Sequence, residues 1–194
     1  LYNSNIIPNI IREGTGNYED AQLTVMTGAY LHDIGNSVHR QLHYSHGMYL
    51  VNDFLDETLS KIYPSRKKAT KIKAMILECI YTHDEAIQCI SIEGGCVTVA
   101  DGTDMATGRA RVPFKKGKID IHSVSALSID KVEITQGNDR PVRIEVFMSC
   151  SSGIFQIQDV FGKKLKSSGL QDFIEVFGTV SAKEKERIVT KIEF

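Results

Sequence analysis

Residues 19–35 read EDAQLTVMTGAYLHDIG, and the architecture of the chain follows from how this stretch is parsed. Ala21, Val25 and Ala29, flanked by Leu23, Met26 and Tyr30, recur at helical spacing and cover a broad face, as a helix buried in a bundle requires. That helix delivers His32 and Asp33 at its C-terminal end. Working outward, His46 to Tyr63 sets Met48, Val51, Leu55, Leu59 and Ile62 along one stripe, and Pro64 stops it. A third helix shows an apolar face of Ile72, Met75, Ile76, Cys79 and Ile80 and ends near Thr82-His83. A fourth is expected to begin around the Glu93-Gly94-Gly95 turn and to carry Val97, Asp101 and Met105 on one face at i, i+4 and i+8.

After Ala126 the period changes from helix to strand. Val132 and Ile134 alternate, Gly137-Asn138-Asp139 supplies turn chemistry, and Val142, Ile144, Val146 and Met148 alternate with Arg143, Glu145 and Phe147, which predicts a hairpin. Ser151 and Ser152 are candidate caps of a helix in which Ile154, Ile157, Val160, Phe161 and Leu165 face inward, with Gly169 just past its end. Strands over 173–180 and 187–194 complete the chain. The fold class expected is therefore α+β: an all-α bundle over residues 1–125 and a small β-β-α-β-β unit over 126–194.

The bulk numbers fit an ordinary globular chain. Among 194 residues, 42% are hydrophobic and 24% charged, which argues against disorder and fibrous repeats. The 23 Lys and Arg against 24 Asp and Glu leave a net charge of -1, so no global field recruits nucleic acid or an anionic membrane, and an anionic substrate must be held locally. Four cysteines, Cys79, Cys89, Cys96 and Cys150, form no CxxC pair and read as reduced thiols. With no run of roughly 18 apolar residues and no signal-like start, a cytoplasmic location is expected.

The chemistry is carried by histidines and aspartates. Of six histidines (His32, His39, His43, His46, His83 and His122), four lie within fifteen residues. A cluster alone reads as readily as surface decoration, but these sit at helix ends: His32-Asp33 closes one helix, His46 opens the next, His83 ends a third, and Asp101 lies on the apolar stripe of a fourth. Bundles build interior metal sites from facing helices in this manner. A carboxylate on an apolar face needs a cation or donors, because burying it alone costs several kcal/mol; the two compensators open to Asp101 are a metal ion and an ion pair with Arg109.

The strings AYLHDIG (29–35), HYSHG (43–47), YTHDE (81–85) and VADGTDMATGRAR (99–111) resemble, in order, the signatures of the HD superfamily of metal-dependent phosphohydrolases. With PF, IHSVSA and the hairpin-helix tail, the chain resembles archaeal HD hydrolases related to the HD domain of ribonuclease Y over nearly its whole length. The resemblance implies an HD-type bundle that binds one or two divalent ions (Mn, Fe, Co, Ni, Zn or Mg) and hydrolyses a phosphate ester of a small molecule or nucleotide. It implies His32, Asp33, Asp101, His46 and His83 as metal ligands, with Asp33 orienting water and His46 and His83 either completing a second ion site or acting on the phosphate and leaving group. Arg109 and Arg111 are candidate phosphate contacts or simply a solvated helix end; His43 is open as a further ligand, and His39 and His122 are expected to be structural.

Two departures stand out. The HD pattern has a histidine on a helix before the dipeptide, whereas residues 1–31 contain none, and a lysine where this chain has Asn36. Either a longer natural chain supplies that histidine, or His39 or His43 substitutes for it. The reading from a different class is a ligand-binding or regulatory module with a structural or degenerate metal site and the tail as its working part; on either reading the tail is expected to contribute to self-association.

Overall fold

A computed structural model describes residues 4–106, 125–181 and 191–193. It divides into two compact units: Tyr2–Asp101 with Lys164–Leu170, and Gly102–Lys163 with Gln171–Phe194. Residues 164–170, expected from sequence in the C-terminal part, thus belong with the helical unit.

The helical elements are α1 (Asn9–Arg12), α2 (Tyr18–Leu31), α3 (His43–Ile62), α4 (Arg66–Thr82), α5 (Ile92–Thr103) and, after the sheet has begun, α6 (Gly162–Ser168). Asn17 starts α2 with a reciprocal capping box: its side chain accepts from the Asp20 amide while the Asp20 carboxylate accepts from the Asn17 amide. Ser65 caps α4, and Pro64 separates α4 from α3. Ile10, Leu31, Val51, Leu55, Leu59, Ile72, Ile76 and Ile80 form one buried cluster, so most of the stripes predicted for α3 and α4 meet in a common core. Met26, Tyr30 and Ile62, expected on apolar faces, are exposed, and α2 turns Thr24, Gly28 and Leu31 inward instead. Each such side chain contributes about 1.5–3 kcal/mol on burial.

Two boundaries differ from expectation, each for a local reason. α3 begins at His43 rather than His46, because Leu42 takes a left-handed conformation (φ 59) and its carbonyl accepts from the Ser45 and His46 amides. A non-glycine residue there costs about 1–2 kcal/mol. α5 begins at Ile92, with the diglycine inside it. The Ser91 hydroxyl accepts from the Gly94 amide, and a Cβ on Gly95 would lie 2.9 Å from the Leu170 side chain, so the glycine serves close packing rather than a turn. The buried Glu93 accepts from the amides of Asn9 and Ile10 at 3.1 and 3.0 Å, satisfying the open N-terminus of α1.

Asp20 is a second buried carboxylate of the helical unit with several partners. It receives the Asn17 amide, the Tyr63 hydroxyl at 2.7 Å and the Lys68 ammonium at 2.7 Å. Burial alone would raise its carboxyl, but the bonds from Lys68, Tyr63 and Asn17 outweigh burial and hold it below the ordinary value. A depressed folded-state value makes this stabilisation fully present above the unfolded value near 3.8 and progressively lost as the pH falls through the folded one. Asp20→Asn is expected to lower stability at pH 7 by about 1–3 kcal/mol. In urea melts the gap to wild type should shrink below about pH 4; a gap independent of pH would show that the charge is irrelevant.

The second unit holds one sheet of four strands in the order β1-β2-β3-β4: β1 (Ile129–Gln136), β2 (Val142–Met148), β3 (Ile174–Val180) and β4 (Lys191–Glu193). β1 and β2 form the predicted hairpin, β2 and β3 run parallel, and β4 returns antiparallel to β3. Parallel pairing demands a crossover, and here it is helical: a 3₁₀ turn (Ser151–Gly153), a π turn (Gln156–Phe161) and then α6. The Ser152 hydroxyl, expected as a helix cap, pairs with that of Ser128 at 2.6 Å, and the residue that precedes the first turn is Cys150. Glu175 accepts from the Asn138 and Asp139 amides at 3.0 Å, closing the hairpin turn. The fold class is α+β, as expected.

Candidate metal centre

A helix end leaves carbonyls without intrahelical donors, and an imidazole placed just beyond the last turn can supply one. His32 stands in that position after α2 and His83 after α4. Nδ1 of His32 lies 2.7 Å from the Ala29 carbonyl, and Nδ1 of His83 lies 2.6 Å from that of Ile80. His43, opening α3, repeats the pattern toward the Arg40 carbonyl at 3.1 Å. A carbonyl only accepts, so each Nδ1 donates and each neutral ring keeps the lone pair on Nε2. The three Nε2 atoms face one region.

Their separations decide what that region suits. Nε2 of His43 is 2.9 Å from Nε2 of His83, two acceptors in contact unless a proton or cation lies between them. Metal–nitrogen bonds of about 2.0–2.1 Å put neighbouring imidazole nitrogens about 2.9–3.4 Å apart, so the pair fits a shared ion. Asp33 Oδ1 lies 3.3 Å from His43 Nε2 and 3.8 Å from His83 Nε2, and its Oδ2 lies 3.7 Å from His32 Nε2. Among the described residues His32, Asp33 and His83 form a group whose ligand atoms all lie within 4.8 Å of one another, so this cluster could hold a metal ion. Two of the imidazoles also sit at helix C-termini, where the macrodipole favours positive charge.

Asp101 closes the cluster from α5. Its Oδ1 is 3.5 Å from His32 Nε2, and its Oδ2 accepts from the Lys164 ammonium of α6 at 2.6 Å. Burial would raise its carboxyl, yet the adjacent His32 ring and the Lys164 ammonium overcome burial and hold it far below the carboxylate range. Burial likewise works against a charged His32, but Asp101 and the Ala29 carbonyl outweigh it and push its value up. His83 goes the other way: burial dominates and lowers it, which keeps the ring neutral and competent as a ligand.

Glycines set these distances. A Cβ on Gly35 would overlap the His43 carbonyl oxygen and lie 2.6 Å from the Gly47 amide, so only glycine lets the 3₁₀ turn over Ile34–Ser37 press against α3. On α2, a Cβ at Gly28 would lie 2.6 Å from the Cys79 side chain, so α2 and α4 approach closely one turn before their histidines. Asn36, standing where the HD pattern has lysine, donates to Asp33 Oδ1 at 2.8 Å and so orients the carboxylate.

Of the residues expected in the site, His32, Asp33, His83 and Asp101 are brought together, and His43, left open by the sequence, joins them. His46 lies one turn further along α3, with Nδ1 buried and without a hydrogen-bond partner among the described residues. His39 accepts from the Gln41 amide in the exposed loop before α3. Arg109, Arg111 and His122 lie outside the described residues. The compensating cation for Asp101 is Lys164 among the described residues, a partner that sequence reasoning missed. The signal available was faint: in the Lys163-Lys164-Leu165-Lys166 run only Lys164 is buried, and Leu165, expected to face inward, is half-buried.

The family model described as HD domain matches residues 6–106. An uncharacterized protein of Methanocaldococcus jannaschii is 46% identical over 189 residues, covering 97% of this chain and 71% of its own. No solved structure matches significantly. Among the described residues no helix is long and apolar enough to cross a membrane, and the four cysteines are free.

Proposed function

We propose, from the premise that this chain belongs to the HD domain family, that its helical unit is a phosphohydrolase that cleaves a phosphate ester of a small molecule or nucleotide with the help of a divalent metal ion. The observation that carries the reading is the convergence of three imidazole Nε2 atoms, tautomers fixed by backbone carbonyls, on two carboxylates. The nitrogen and oxygen donor set suits Mn, Fe, Co, Ni or Zn, and Mg through the carboxylates. His32, Asp33, His83 and Asp101 would hold the ion, with His43 as an added ligand beside His83.

When bound, such an ion makes water a stronger acid and neutralises charge on phosphoryl oxygens. The side chains do the rest. Asp33 is the most solvent-open member, its side chain 45% exposed, and Asn36 fixes one of its oxygens, so it is placed to orient a water and accept its proton. His46 has a buried nitrogen without a partner among the described residues, which supports a role toward substrate or a second ion. With a net charge of -1 the chain offers substrate phosphate no general attraction, and Arg109 and Arg111 are the residues we assign to that contact.

The test is a panel of p-nitrophenyl phosphate, bis(p-nitrophenyl) phosphate and common nucleotides, each with Mn, Co, Ni or Mg. Phosphate or nitrophenol release that EDTA stops and one metal restores is the expected result. A chain that binds the ion yet hydrolyses nothing on the panel would contradict the proposal and favour a regulatory module with a structural metal site.

A further inference from the structure

Lys164 reaches the cluster from far along the chain, on α6, and only 11% of its side chain is exposed. Its ammonium makes two short contacts. It donates to Asp101 Oδ2 at 2.6 Å and to the His83 carbonyl at 2.7 Å, with Glu85 Oε2 further off at 3.9 Å. A buried ammonium is tolerated only when paired and hydrogen-bonded, and here both partners belong to residues of the candidate centre. The neighbours Lys163 and Lys166 are exposed, so the position and not the lysine-rich run selects this residue.

We propose that Lys164 is a positioning residue that fixes how Asp101 binds the ion. This rests on the metal-dependent reading given above. A carboxylate beside a cation can bind through one oxygen or both, and the choice changes coordination number and charge at the ion. With Oδ2 held by the ammonium, Oδ1 is the oxygen presented to the imidazole cluster, 3.5 Å from His32 Nε2. The same ammonium ties the backbone of His83, so one group sets the side chain of one ligand and the main chain of another. Outer contacts of this kind orient ligands and tune affinity. Lys164 also offsets one negative charge of the Asp33 and Asp101 pair, which leaves a divalent ion more positive toward phosphate.

The experiment titrates the metal-stripped full chain with Co2+, following heat and the visible absorption of the bound ion. Wild type, Lys164→Met, Asp101→Asn and the double variant are compared, with Lys164→Arg as the variant that keeps the cation. Lys164→Met is expected to weaken Co2+ binding by about 10–100-fold and to change the absorption spectrum; Lys164→Arg should recover most of the loss. In the Asp101→Asn background, removing Lys164 should cost much less affinity than it does in wild type, because its action through Asp101 is gone and only its bond to the His83 carbonyl remains. Wild-type affinity and spectrum in Lys164→Met, or losses that multiply in the double variant, would overturn the proposal. If Lys164→Met does not fold, Lys164→Gln, which keeps a donor for the His83 carbonyl, carries the same comparison. A wild-type chain that takes up no Co2+ defeats the metal-dependent reading itself and this inference with it.

Discussion

Asp33→Ala is expected to reduce metal-dependent hydrolysis by about 10³-fold or more, the scale on which one member of a cooperating catalytic group is lost. Asp33 lies 3.3 to 3.8 Å from the Nε2 atoms of all three histidines, His43, His32 and His83, and no other carboxylate among the described residues has contacts to all three. Its replacement removes a ligand and the proton acceptor together. Metal affinity should fall by at least about 100-fold, beyond what loss of an outer partner costs. Stability should change little, because the side chain is 45% exposed and its remaining bond, from Asn36, is on the surface. Elemental analysis, a thermal melt and the hydrolysis assay on one preparation check all three. A variant that folds, keeps its metal and hydrolyses at the wild-type rate would remove Asp33 from the mechanism.

The second large effect is expected from a residue with no side chain. In Gly35→Ala the new methyl overlaps the His43 carbonyl and crowds the Gly47 amide, both backbone atoms of α3 that cannot rotate away. Overpacking of this sort costs about 1–3 kcal/mol, and the upper end applies where backbone must move. The move displaces His43, and a misplacement of about 1 Å can cost a hundredfold in rate. Gly47→Ala is the control: its nearest obstacle is a methyl of Ile80 at 3.1 Å, which can yield, so its effect should be clearly smaller. Equal losses in the two variants, measured by melting temperature and hydrolysis rate, would contradict this account of the close approach.

How much of this was legible in the sequence differs from residue to residue. The helices were, because Val51, Leu55, Leu59, Ile72, Ile76 and Ile80 keep a helical period and bury in one cluster, and Pro64 marks a break that backbone chemistry enforces. The hairpin was also legible, since the strict alternation over 142–148 matches a strand with alternate residues buried. That His32 and His83 end helices was readable; that each ring would donate Nδ1 to the carbonyl three residues back, turning Nε2 inward, depends on cap geometry that spacing does not specify. That α3 begins at His43, three residues before His46, goes with Leu42 adopting a left-handed conformation, which nothing in a leucine announces. Lys164 was invisible because its partner Asp101 lies 63 residues away and the run around it reads as solvated charge. Gly94 and Gly95 misled for the opposite reason: glycine signals a turn and a close approach equally well, and the packing of Leu170 selects the second.

The central claim is that His32, His43 and His83 present Nε2 to a common ion. Nitrogen-15 NMR of the histidine-labelled chain, recorded while Zn2+ is added to the metal-stripped protein, tests it most directly. The account expects the Nε2 resonances of these three rings to shift to the range of metal-bound nitrogen while their Nδ1 protons stay hydrogen-bonded and protected. The resonances of His39 should not move. If Zn2+ leaves the three Nε2 signals unchanged, or shifts Nδ1 instead, the ring orientations fixed by Ala29, Arg40 and Ile80 do not build a metal site and the account is wrong.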